Sequence, residues 1–433
     1  MFKRGLLITL LLVTLVTGIT VNPAQAQQKS IRFGTLTGAF IDAVNDLLVK
    51  NFNKLHPDVQ VNVEPIVGDV GQVLASQAAA KNLPDVVFLA DLFVVPFAKG
   101  GIVVDMEPLA KADKSFDLSD IYPNMLDLSR VNGKGLYMIP SSFDVVTVYY
   151  NKTMWQKAGA PLPNATWTWD DYISDCQMIK KATGNYCFGY DDKGLIANAI
   201  WWAWYVPFIR GYGGDVLSKD GKKVLLSTPE SLAGVQAFVD LWTKYDIAQP
   251  LGFDAGGNCF MVGKCATFMH IPAIMGNIRA LNPQPFEWDL EVIPSHPKGR
   301  FTGMGTYGFA VSANAQDQSL AWDFVKGLVS KDMQLSIAKN YAGTPLLKSL
   351  REDPAIVNLA APPAHPLKFI ENGQYGITPP YFPGDCGSLY AGQIHQEIQD
   401  AFEASILKQS TVTDAFTAAN DHIQACLDKT AGK

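Results

Sequence analysis

The amino-acid sequence predicts an α/β protein of two lobes. A chain of 433 residues exceeds what one ordinary hydrophobic core accommodates, so two lobes are expected. Strand and helix patterns also alternate near the N-terminus, which is typical of a lobe with a mostly parallel sheet. The predicted segments in order are a strand at Ile31–Thr35, a helix at Ile41–Leu55, a strand at Val59–Pro65, a helix at Val70–Lys81 and a strand at Asp85–Leu89.

Each of these segments has its own signature in the sequence. Residues 41–55 carry apolar side chains at helical spacing, and Pro57 ends the pattern because proline cannot continue a helix. Residues 59–65 alternate apolar and polar side chains, as a half-buried strand does. Residues 85–89 are nearly all apolar, which is typical of a buried parallel strand.

Further elements follow along the chain. Thr168 and Thr228 each precede a helical pattern as N-cap residues, the first with Asp171 in a variant of the capping box and the second with Pro229 at the first helical position. The remaining predictions are strands at Gly133–Pro140, Val145–Tyr150 and Gly308–Ser312, a helix at Leu320–Leu328 and a helical C-terminal stretch from Gln393.

Residues 1–26 have the pattern of a secretory signal peptide. A positive start and an apolar run precede the triplet Ala24-Gln25-Ala26, which predicts cleavage before Gln27. The alternative is an uncleaved membrane anchor, for which the run is short because a spanning helix needs roughly 20 apolar residues. No cysteine near the cleavage point offers a thiol for a lipid anchor. We therefore expect a soluble, periplasmic mature chain.

The charge of the chain argues against two classes of partner. The sequence has 35 basic and 41 acidic residues, and cleavage would remove Lys3 and Arg4, which changes the net charge from −6 to −8. A mildly acidic chain lacks the basic footprint of proteins that bind nucleic acids or anionic membranes. We therefore expect neither as a partner.

Six cysteines indicate disulfides, since the count is even and the chain is predicted to be exported. Six cysteines allow about 15 connectivities, and the sequence alone does not choose among them. We favour pairing of sequence neighbours because short loops are easiest to close: Cys176–Cys187, Cys259–Cys265 and Cys386–Cys426. A zinc site is the rival interpretation, but no C-x-x-C or H-x₃-H spacing supports it.

Motifs for common catalytic and nucleotide-binding sites are weak or absent. Gly303–Gly308 matches G-x-G-x-x-G, but a dinucleotide site needs a helix after this loop, and here a strand pattern follows. The sequence contains neither G-x-S-x-G nor H-E-x-x-H. A glycosidase would need two opposed carboxylates in a cleft, and no pattern in the sequence indicates such a pair.

The aromatic run at residues 199–208 is the richest candidate for ligand contact. Trp204 shares one helical stripe with Trp201 and two further rings, and the simplest interpretation of such a stripe is the protein core. Trp202 lies roughly 100° off the stripe, which core packing does not explain. A tryptophan offers a large apolar face and one N–H donor, which suits the C–H side of a sugar ring.

Two carboxylates are candidates for accepting hydrogen bonds from hydroxyl groups. Asp91 follows the buried strand at 85–89, and ligands of α/β sheets bind outside the carboxyl ends of strands. Helix capping is the alternative role for Asp91. Asp144 lies between two predicted strands at an expected crossing between lobes. A buried carboxylate there needs a partner or a ligand, because leaving it unpaired is costly.

The order of several short motifs resembles the family 1 extracellular solute-binding proteins of ATP-driven importers, which include maltose-binding proteins. The most diagnostic run is Val148-Tyr149-Tyr150-Asn151-Lys152, followed by Ala158-Gly159 and Thr168-Trp169-Asp170. The resemblance covers nearly the whole mature chain, with further matching segments at residues 52–59, 83–87, 308–312, 321–324 and 343–345.

This resemblance implies the type II architecture, in which two lobes close over a ligand. It implies lobe 1 at 27–143 plus 305–342 and lobe 2 at 144–304 plus 343–433, with crossings near 141–146, 301–306 and 341–346. Tyr307 stands where many sugar binders of the family carry tryptophan. The positions of this chain implied to contact the ligand are Thr37, Asp91, Asp144, Trp202, Trp204, His270, Gly305 and Tyr307.

We therefore expect a monomeric periplasmic component of an ABC transporter that binds a sugar or polyol and delivers it to the membrane permease. No catalytic residue, metal or cofactor is expected. A secreted hydrolase acting on glycans is the alternative from another class. The same fold with an amine, a metal or a phosphate ester as cargo is a further alternative, and the ester would require arginines such as Arg210, Arg279 or Arg351.

Overall fold

The computed structural model describes residues 29–37, 39–68, 70–190, 200–339, 345–358, 361–382, 386–390 and 392–430. The predicted signal peptide at 1–26 lies outside these ranges, as do residues 341–344 of the predicted third crossing. Within these ranges, no helix combines the length and the apolar character that crossing a membrane requires.

Strands and helices alternate along the chain. The strands are β1 (Lys29–Thr35), β2 (Val59–Pro65), β3 (Val86–Ala90), β4 (Ile139–Pro140), β5 (Asp144–Val145), β6 (Thr147–Asn151), β7 (Tyr186–Gly189), β8 (Cys265–His270), β9 (Trp288–Glu291), β10 (Thr302–Gly305), β11 (Tyr307–Val311) and β12 (Gly376–Ile377). The helices are α1 (Ala39–Leu55), α2 (Val70–Ala79), α3 (Asp91–Lys99), α4 (Glu107–Ala112), α5 (Pro123–Leu128), α6 (Lys152–Ala158), α7 (Trp169–Thr183), α8 (Trp202–Gly211), α9 (Pro229–Thr243), α10 (Met275–Arg279), α11 (Gln318–Val325), α12 (Lys331–Lys339), α13 (Pro354–Val357), α14 (Lys368–Gly373), α15 (Gly392–Ile406) and α16 (Val412–Thr430).

Three sheets organise these elements. Lobe 1 contains a five-stranded sheet in the order β2-β1-β3-β11-β4, and lobe 2 contains a four-stranded sheet in the order β7-β8-β6-β9. A hinge sheet, β12-β10-β5, lies between the lobes. The predicted α/β architecture with two lobes and mixed sheets is therefore confirmed.

The sheets are not mostly parallel, and this part of the prediction is wrong. Among the described strands, four pairs are parallel and five are antiparallel. The reason is that β6 and β11 begin at the crossings and run away from the hinge, whereas their neighbours β8 and β3 end there. The crossings themselves thus impose antiparallel pairing.

Local sequence signals fix the ends of several helices as predicted. The hydroxyl of Thr168 accepts a hydrogen bond from the backbone N of Asp171 (3.2 Å), and the Asp171 carboxylate accepts one from the backbone N of Thr168 (2.9 Å). This reciprocal pair is the capping box of α7. Thr228 caps α9, with Pro229 at its first position.

The predicted strand at 133–140 is reduced to Ile139–Pro140. Its first part cannot join a sheet because the chain turns at Asn132 and Gly133, which both have positive φ. Beyond the turn, the backbone N of Leu136 donates to Asp105 (2.8 Å) and that of Tyr137 to a carbonyl of the preceding loop. These hydrogen bonds replace those of a strand.

Two large apolar clusters fill the lobes, and disulfides add covalent ties. Phe33, Leu89 and Phe309 belong to the core of lobe 1, and Tyr172 and Phe238 to that of lobe 2.

The predicted pairing of the cysteines is confirmed, because the three disulfides are Cys176–Cys187, Cys259–Cys265 and Cys386–Cys426.

Residues 345–358 pack against lobe 1, although the predicted boundary at residue 343 assigns them to lobe 2. Leu347 forms an antiparallel bridge with Ile121. The backbone N and hydroxyl of Ser349 donate to the carboxylate of Asp120 at 2.8 and 2.6 Å. These contacts extend lobe 1 beyond its predicted end.

The chain reaches lobe 2 only after this segment. The ring of His365 lies 2.7 Å from the carboxylate of Asp289, and Lys368 forms an ion pair with Glu291 at 2.9 Å, both on β9 of lobe 2. The described contacts therefore change from lobe 1 to lobe 2 between residues 358 and 365, later than the third crossing predicted near 341–346. No short motif in the sequence marks this position.

Candidate ligand-binding site

The ends of four strands bring acidic and aromatic side chains to the place where the lobes meet. Asp91 follows β3 directly, and Tyr307 begins β11 in register with Ala90, the last residue of β3. Asp144 begins β5 in register with Gly305, the last residue of β10. We call Asp91, Asp144, Gly305 and Tyr307 the acidic corner. The structure thus brings together four of the predicted site residues.

Gly305 is required at this corner by the close approach of a carboxylate. A Cβ atom at residue 305 would lie 2.9 Å from Oδ2 of Asp91. The same oxygen accepts a hydrogen bond from the backbone N of Thr306 at 3.2 Å. Any larger residue at 305 would therefore displace Asp91.

Asp91 combines a structural role with free acceptor capacity. Its Oδ1 accepts from the backbone N of Leu92 (2.7 Å) at the start of α3, which agrees with the alternative role at a helix end. An ionised carboxylate has about four acceptor positions, so these bonds leave room for a ligand hydroxyl. Burial raises the pKa of Asp91 to about 6.

Asp144 is more deeply buried than Asp91 and less completely bonded. Its side chain is 6% exposed, and the hydroxyl of Ser142 donates to Oδ2 at 2.7 Å, while Oδ1 has no hydrogen-bond partner. Burial raises the pKa of Asp144 to about 7, and the negative charge of Asp91 contributes. The two carboxyl groups are therefore close enough to influence each other.

Four predicted site residues each have one buried polar atom outside strong hydrogen-bond geometry: Oδ1 of Asp144, Nε1 of Trp202, Nδ1 of His270 and the hydroxyl oxygen of Tyr307. Weaker hydrogen bonds connect Trp202 with Tyr390, Tyr307 with Ser141 and His270 with the backbone of Ile271, so Oδ1 of Asp144 is the least satisfied of the four atoms. Buried polar atoms in proteins almost always form hydrogen bonds. Eleven other buried atoms in the described ranges also lie outside strong hydrogen-bond geometry, so it is the type and place of Oδ1 of Asp144, a carboxylate oxygen at the junction of the lobes, that suits a hydroxyl-bearing ligand.

Burial shifts the pKa values of two of these residues so that their neutral forms are favoured. Burial lowers the pKa of His270 to about 4. Burial, together with the charge of Asp144, raises the pKa of Tyr307 above its usual range. Near neutral pH both side chains are uncharged, so they offer a ligand hydrogen bonds without charge.

Aromatic rings of lobe 2 face the acidic corner. The ring of Trp202, at the start of α8, lies 6.1 Å from that of Tyr390, and the ring of Trp201 lies 5.2 Å from that of His270. Tyr390 lies close to the acidic corner, because it lines the same cavity as Asp91; burial raises its pKa and the charge of Asp91 contributes. We call Trp201, Trp202, His270 and Tyr390 the aromatic wall.

Trp204 lies in the core of lobe 2 rather than in this wall. It is 6% exposed, its Nε1 donates to the carbonyl of Met269 at 2.8 Å, and its ring packs against Phe188. The core interpretation of the helical stripe therefore holds for Trp204, and the ligand contact implied for it by the resemblance does not follow from its position. Helix α8 is buried on all sides, because it packs on α9 and on β10 of the hinge sheet. Trp202, although off the predicted stripe, is consequently also buried, at 1% exposed.

Trp201 is a residue that the sequence reasoning assigned to the core. It precedes α8 in an extended conformation (φ −72°, ψ 135°), so the helical spacing that placed it on the core stripe does not apply. It remains partly exposed. Trp201 could have been assigned correctly only by locating the start of α8 at Trp202. Residues 191–199, which precede this region, lie outside the described ranges.

Thr37 is exposed and lies two residues after β1. Residue 38 lies outside the described ranges, and the hydrogen bonds described for the acidic corner do not involve Thr37. Its role in ligand contact stays a prediction.

A cavity of about 520 Å³ opens beside Asp91 and Tyr390. Helices α3 and α5 of lobe 1 line one side, and the segments at 378–382 and 387–390 line the other. The sequence reasoning did not find Tyr390 or the cavity residue Tyr381, since neither belongs to a recognisable motif. Asp91 and Tyr390 are the members of the acidic corner and the aromatic wall among its described lining residues, so the cavity lies beside the junction that holds the other members.

Residues 34–335 match the protein family described as bacterial extracellular solute-binding proteins. The chain belongs to this family. The resemblance inferred from short motifs is therefore confirmed over most of the sequence.

Known members differ in their ligands. The diacetylchitobiose binding protein DasA of Streptomyces coelicolor is 27% identical over 336 residues, which cover 73% of this chain and 74% of DasA. The sn-glycerol-3-phosphate-binding periplasmic protein UgpB of Brucella abortus is 27% identical over 293 residues, which cover 64% of this chain and 65% of UgpB.

The fold of the solute-binding protein also matches solved structures. The ABC substrate-binding protein Lmo0181 of Listeria monocytogenes, solved in complex with cycloalternan, superposes with a TM-score of 0.77 at 22% identity, covering 92% of this chain and 98% of that protein. At this identity the match establishes the two-lobe fold alone.

Proposed function

We propose that this solute-binding protein serves an ABC importer by binding a sugar or polyol between its lobes and delivering it to the membrane permease. It acts in the periplasm as a monomer and carries out no reaction on its cargo. The observation that carries the proposal is the buried, unpartnered Oδ1 of Asp144 beside Asp91 at the junction of the lobes, with the rings of the aromatic wall nearby.

The chemistry of the site suits a neutral molecule with many hydroxyl groups. Asp91 and Asp144 accept hydrogen bonds from hydroxyls, and charged acceptors form the stronger bonds. The rings of Trp201 and Tyr390 offer apolar faces to the C–H side of a sugar ring. A cavity of about 520 Å³ falls within the roughly 300–1,000 Å³ of small-molecule sites.

A phosphate ester suits the site less well. Arg130 is the one cation among the described residues that line the cavity, and it already forms an ion pair with Glu107 at 3.2 Å. Of the arginines proposed from sequence, Arg210 pairs with Asp215 at 3.3 Å, at the opposite end of α8 from Trp202. Two nearby carboxyl groups would repel an anionic cargo.

Calorimetry with a ligand panel tests the proposal. The panel contains monosaccharides, disaccharides, polyols, glycosyl-polyols, one quaternary amine and glycerol phosphate. We expect saturable binding of a hydroxyl-rich neutral compound, together with a rise in melting temperature, because a ligand that binds only the folded state stabilises it. Binding of glycerol phosphate or the amine alone, or of nothing, would overturn the sugar assignment.

Recovery of the ligand separates the binding protein from the alternative of a glycan-acting hydrolase. After prolonged incubation, chromatography should return the bound saccharide intact. Cleavage products that disappear in the Asp91→Asn variant would instead assign a catalytic role to the acidic corner.

A further inference from the structure

We propose that the Cys386–Cys426 disulfide is a positioning element of the binding site, which holds residues 386–390, and Tyr390 with them, in the conformation that contacts cargo. This inference rests on the proposed function, because it concerns the cleft between the lobes. It assigns to one of the three disulfides a role in affinity that the other two do not share.

The segment at 386–390 forms part of the cleft surface. Residues 387–390 line the cavity, and the Tyr390 ring packs on Trp202 at 6.1 Å. The segment folds back on itself, since Gly392 has a φ of +79° and a Cβ atom there would lie 2.9 Å from the Cα of Gly387. It is thus a tight loop rather than part of a sheet.

Among the described contacts, two hydrogen bonds join this loop to the helix that follows it. The backbone N of Ile394 donates to the carbonyl of Cys386, and Nδ1 of His395 donates to the carbonyl of Leu389, both at 3.1 Å. Both bonds come from the adjacent helix α15. A tie to a more distant element comes from Cys386, which is 1% exposed and bonded to Cys426 on α16.

Helix α16 is a firm support for that tie. It packs along α15 and also contacts α9, and its apolar side chains Phe416, Ile423 and Leu427 are buried in the core of lobe 2. None of its described residues lines the cavity. The disulfide therefore connects the cleft surface to the core without occupying the cleft.

The other two disulfides lie away from the cleft. Cys176–Cys187 joins α7 to β7 within the core of lobe 2. Cys259–Cys265 closes a short loop at the start of β8, whose other end is His270. At roughly 3.3 Å per residue, the five residues from Cys265 to His270 separate this disulfide from the aromatic wall by about 17 Å. Cys259–Cys265 is therefore a matched control.

Without the Cys386–Cys426 disulfide, fewer molecules should hold the loop at 386–390 in the conformation that contacts cargo. Binding should therefore weaken. The apparent Kd increases by the inverse of the fraction of molecules whose loop is in the binding conformation. A loop that is ordered in one molecule in ten gives a Kd raised about tenfold. Loss of the control disulfide lowers stability and leaves this fraction unchanged.

The test compares Cys386→Ser/Cys426→Ser with Cys259→Ser/Cys265→Ser in the mature chain. Calorimetry with the panel member that binds wild type gives Kd, and thermal denaturation gives Tm. We expect Kd to rise about tenfold in the first variant and less than about twofold in the second, at temperatures where both are folded. An unchanged Kd in the first variant, or an equal rise in both, overturns the inference.

A second variant keeps the inference testable if the first does not fold. His395→Ala removes the bond to Leu389 from behind the loop without altering a cavity residue, and it should raise Kd by a few-fold. In a protein that already carries Tyr390→Ala, the substitution His395→Ala should leave Kd unchanged, because both substitutions act through the same contact with cargo. Additive effects would contradict positioning through Tyr390.

The two proposals fail in distinguishable ways. If wild type binds no panel member, the proposed function fails before the disulfide is tested. If wild type binds and the Cys386→Ser/Cys426→Ser variant binds equally well, only the positioning role fails.

Discussion

The two sides of the cleft are built by different means. On the acidic corner, Asp91 and Tyr307 extend from adjacent strands of one sheet, so backbone hydrogen bonds fix their positions. On the aromatic wall, His270 ends strand β8 and Trp202 begins α8, whereas Trp201 and Tyr390 lie on segments outside the described sheets. Two bonds between Gln399 of α15 and Ile200, at 2.6 and 2.9 Å, hold the first segment, and a disulfide holds the second.

This difference indicates a division of roles. Strand ends place charged acceptors rigidly, which suits hydrogen bonds that depend on distance and angle. Segments tied to helices by a few contacts place flat rings that tolerate small shifts. Substitutions on the acidic corner should therefore alter affinity most, and substitutions on the aromatic wall should alter it less.

The largest effect is expected for Asp144→Asn. Loss of a charged acceptor removes about 1.5–3 kcal/mol, which corresponds to a Kd raised about 10- to 100-fold. The same change should raise the Tm of the ligand-free protein at pH 8, since it removes a buried carboxylate whose pKa is raised. Calorimetry and thermal denaturation measure the two effects.

Asp175→Asn is the matched control for this prediction. Asp175 is also a buried carboxyl, 7% exposed, whose pKa burial raises to about 6, but it lies on α7 outside the cleft. Its substitution should raise the Tm at pH 8 and leave Kd unchanged. If Asp175→Asn weakens binding as much as Asp144→Asn, the acidic corner has no special role.

A smaller effect is expected on the aromatic wall, where Trp201 and Trp204 should respond in opposite ways. Trp201→Ala removes a partly exposed ring, so Kd should rise about tenfold with little change in Tm. Trp204→Phe removes the bond to the carbonyl of Met269 and leaves space in the core, so stability should fall by about 2 kcal/mol with little change in Kd. A Kd that responds only to Trp204→Phe would reverse the assignment.

The smallest expected effect is the change in the stability of the wild-type protein with pH. The pKa of Asp144 is raised to about 7 and that of Asp91 to about 6, so these groups bind more protons in the folded protein than in the unfolded chain above about pH 4. These two carboxyl groups alone lower the stability as pH rises from about 4 to 7. The lowered pKa values of His270 and His296, about 4 and 3, act in the opposite direction below about pH 6.5. The slope due to Asp144 is therefore the difference between the wild type and Asp144→Asn, in which stability should fall less with rising pH. Thermal denaturation between pH 4 and 8 measures this slope.

Affinity should have the opposite slope, because hydroxyls that donate to the carboxylates favour their ionised forms. Kd should decrease a few-fold between pH 6 and 8 in the wild type and less in Asp144→Asn. Identical pH profiles for the two proteins would show that Asp144 does not titrate in this range or does not contact cargo.

The sequence predicted the acidic corner better than the aromatic wall for physical reasons. The position of Asp91 follows from the end of a nearly all-apolar strand, a pattern that is visible in one short segment. Trp201 was misplaced because its exposure depends on where α8 begins, and the burial of Trp202, off the predicted stripe, was missed because α8 is packed on every face. Helical spacing identifies a buried face only when another face meets solvent.

Long-range features were the hardest to predict. The contact between Tyr390 and Trp202 joins residues far apart in the chain, and no local pattern encodes it. The late third crossing depends on Leu347 pairing with Ile121 in lobe 1, again a distant contact. The disulfides were predictable because each pair is also a pair of sequence neighbours among the six cysteines.

A crystal structure of the protein with the tightest-binding panel member would show where cargo binds. We expect a ligand enclosed between the lobes, with hydroxyl groups within about 3 Å of the carboxylates of both Asp91 and Asp144 and a ring face against the aromatic wall. A cargo bound outside the cleft, or one within it that leaves both carboxylates without a ligand contact, would refute the proposed binding site.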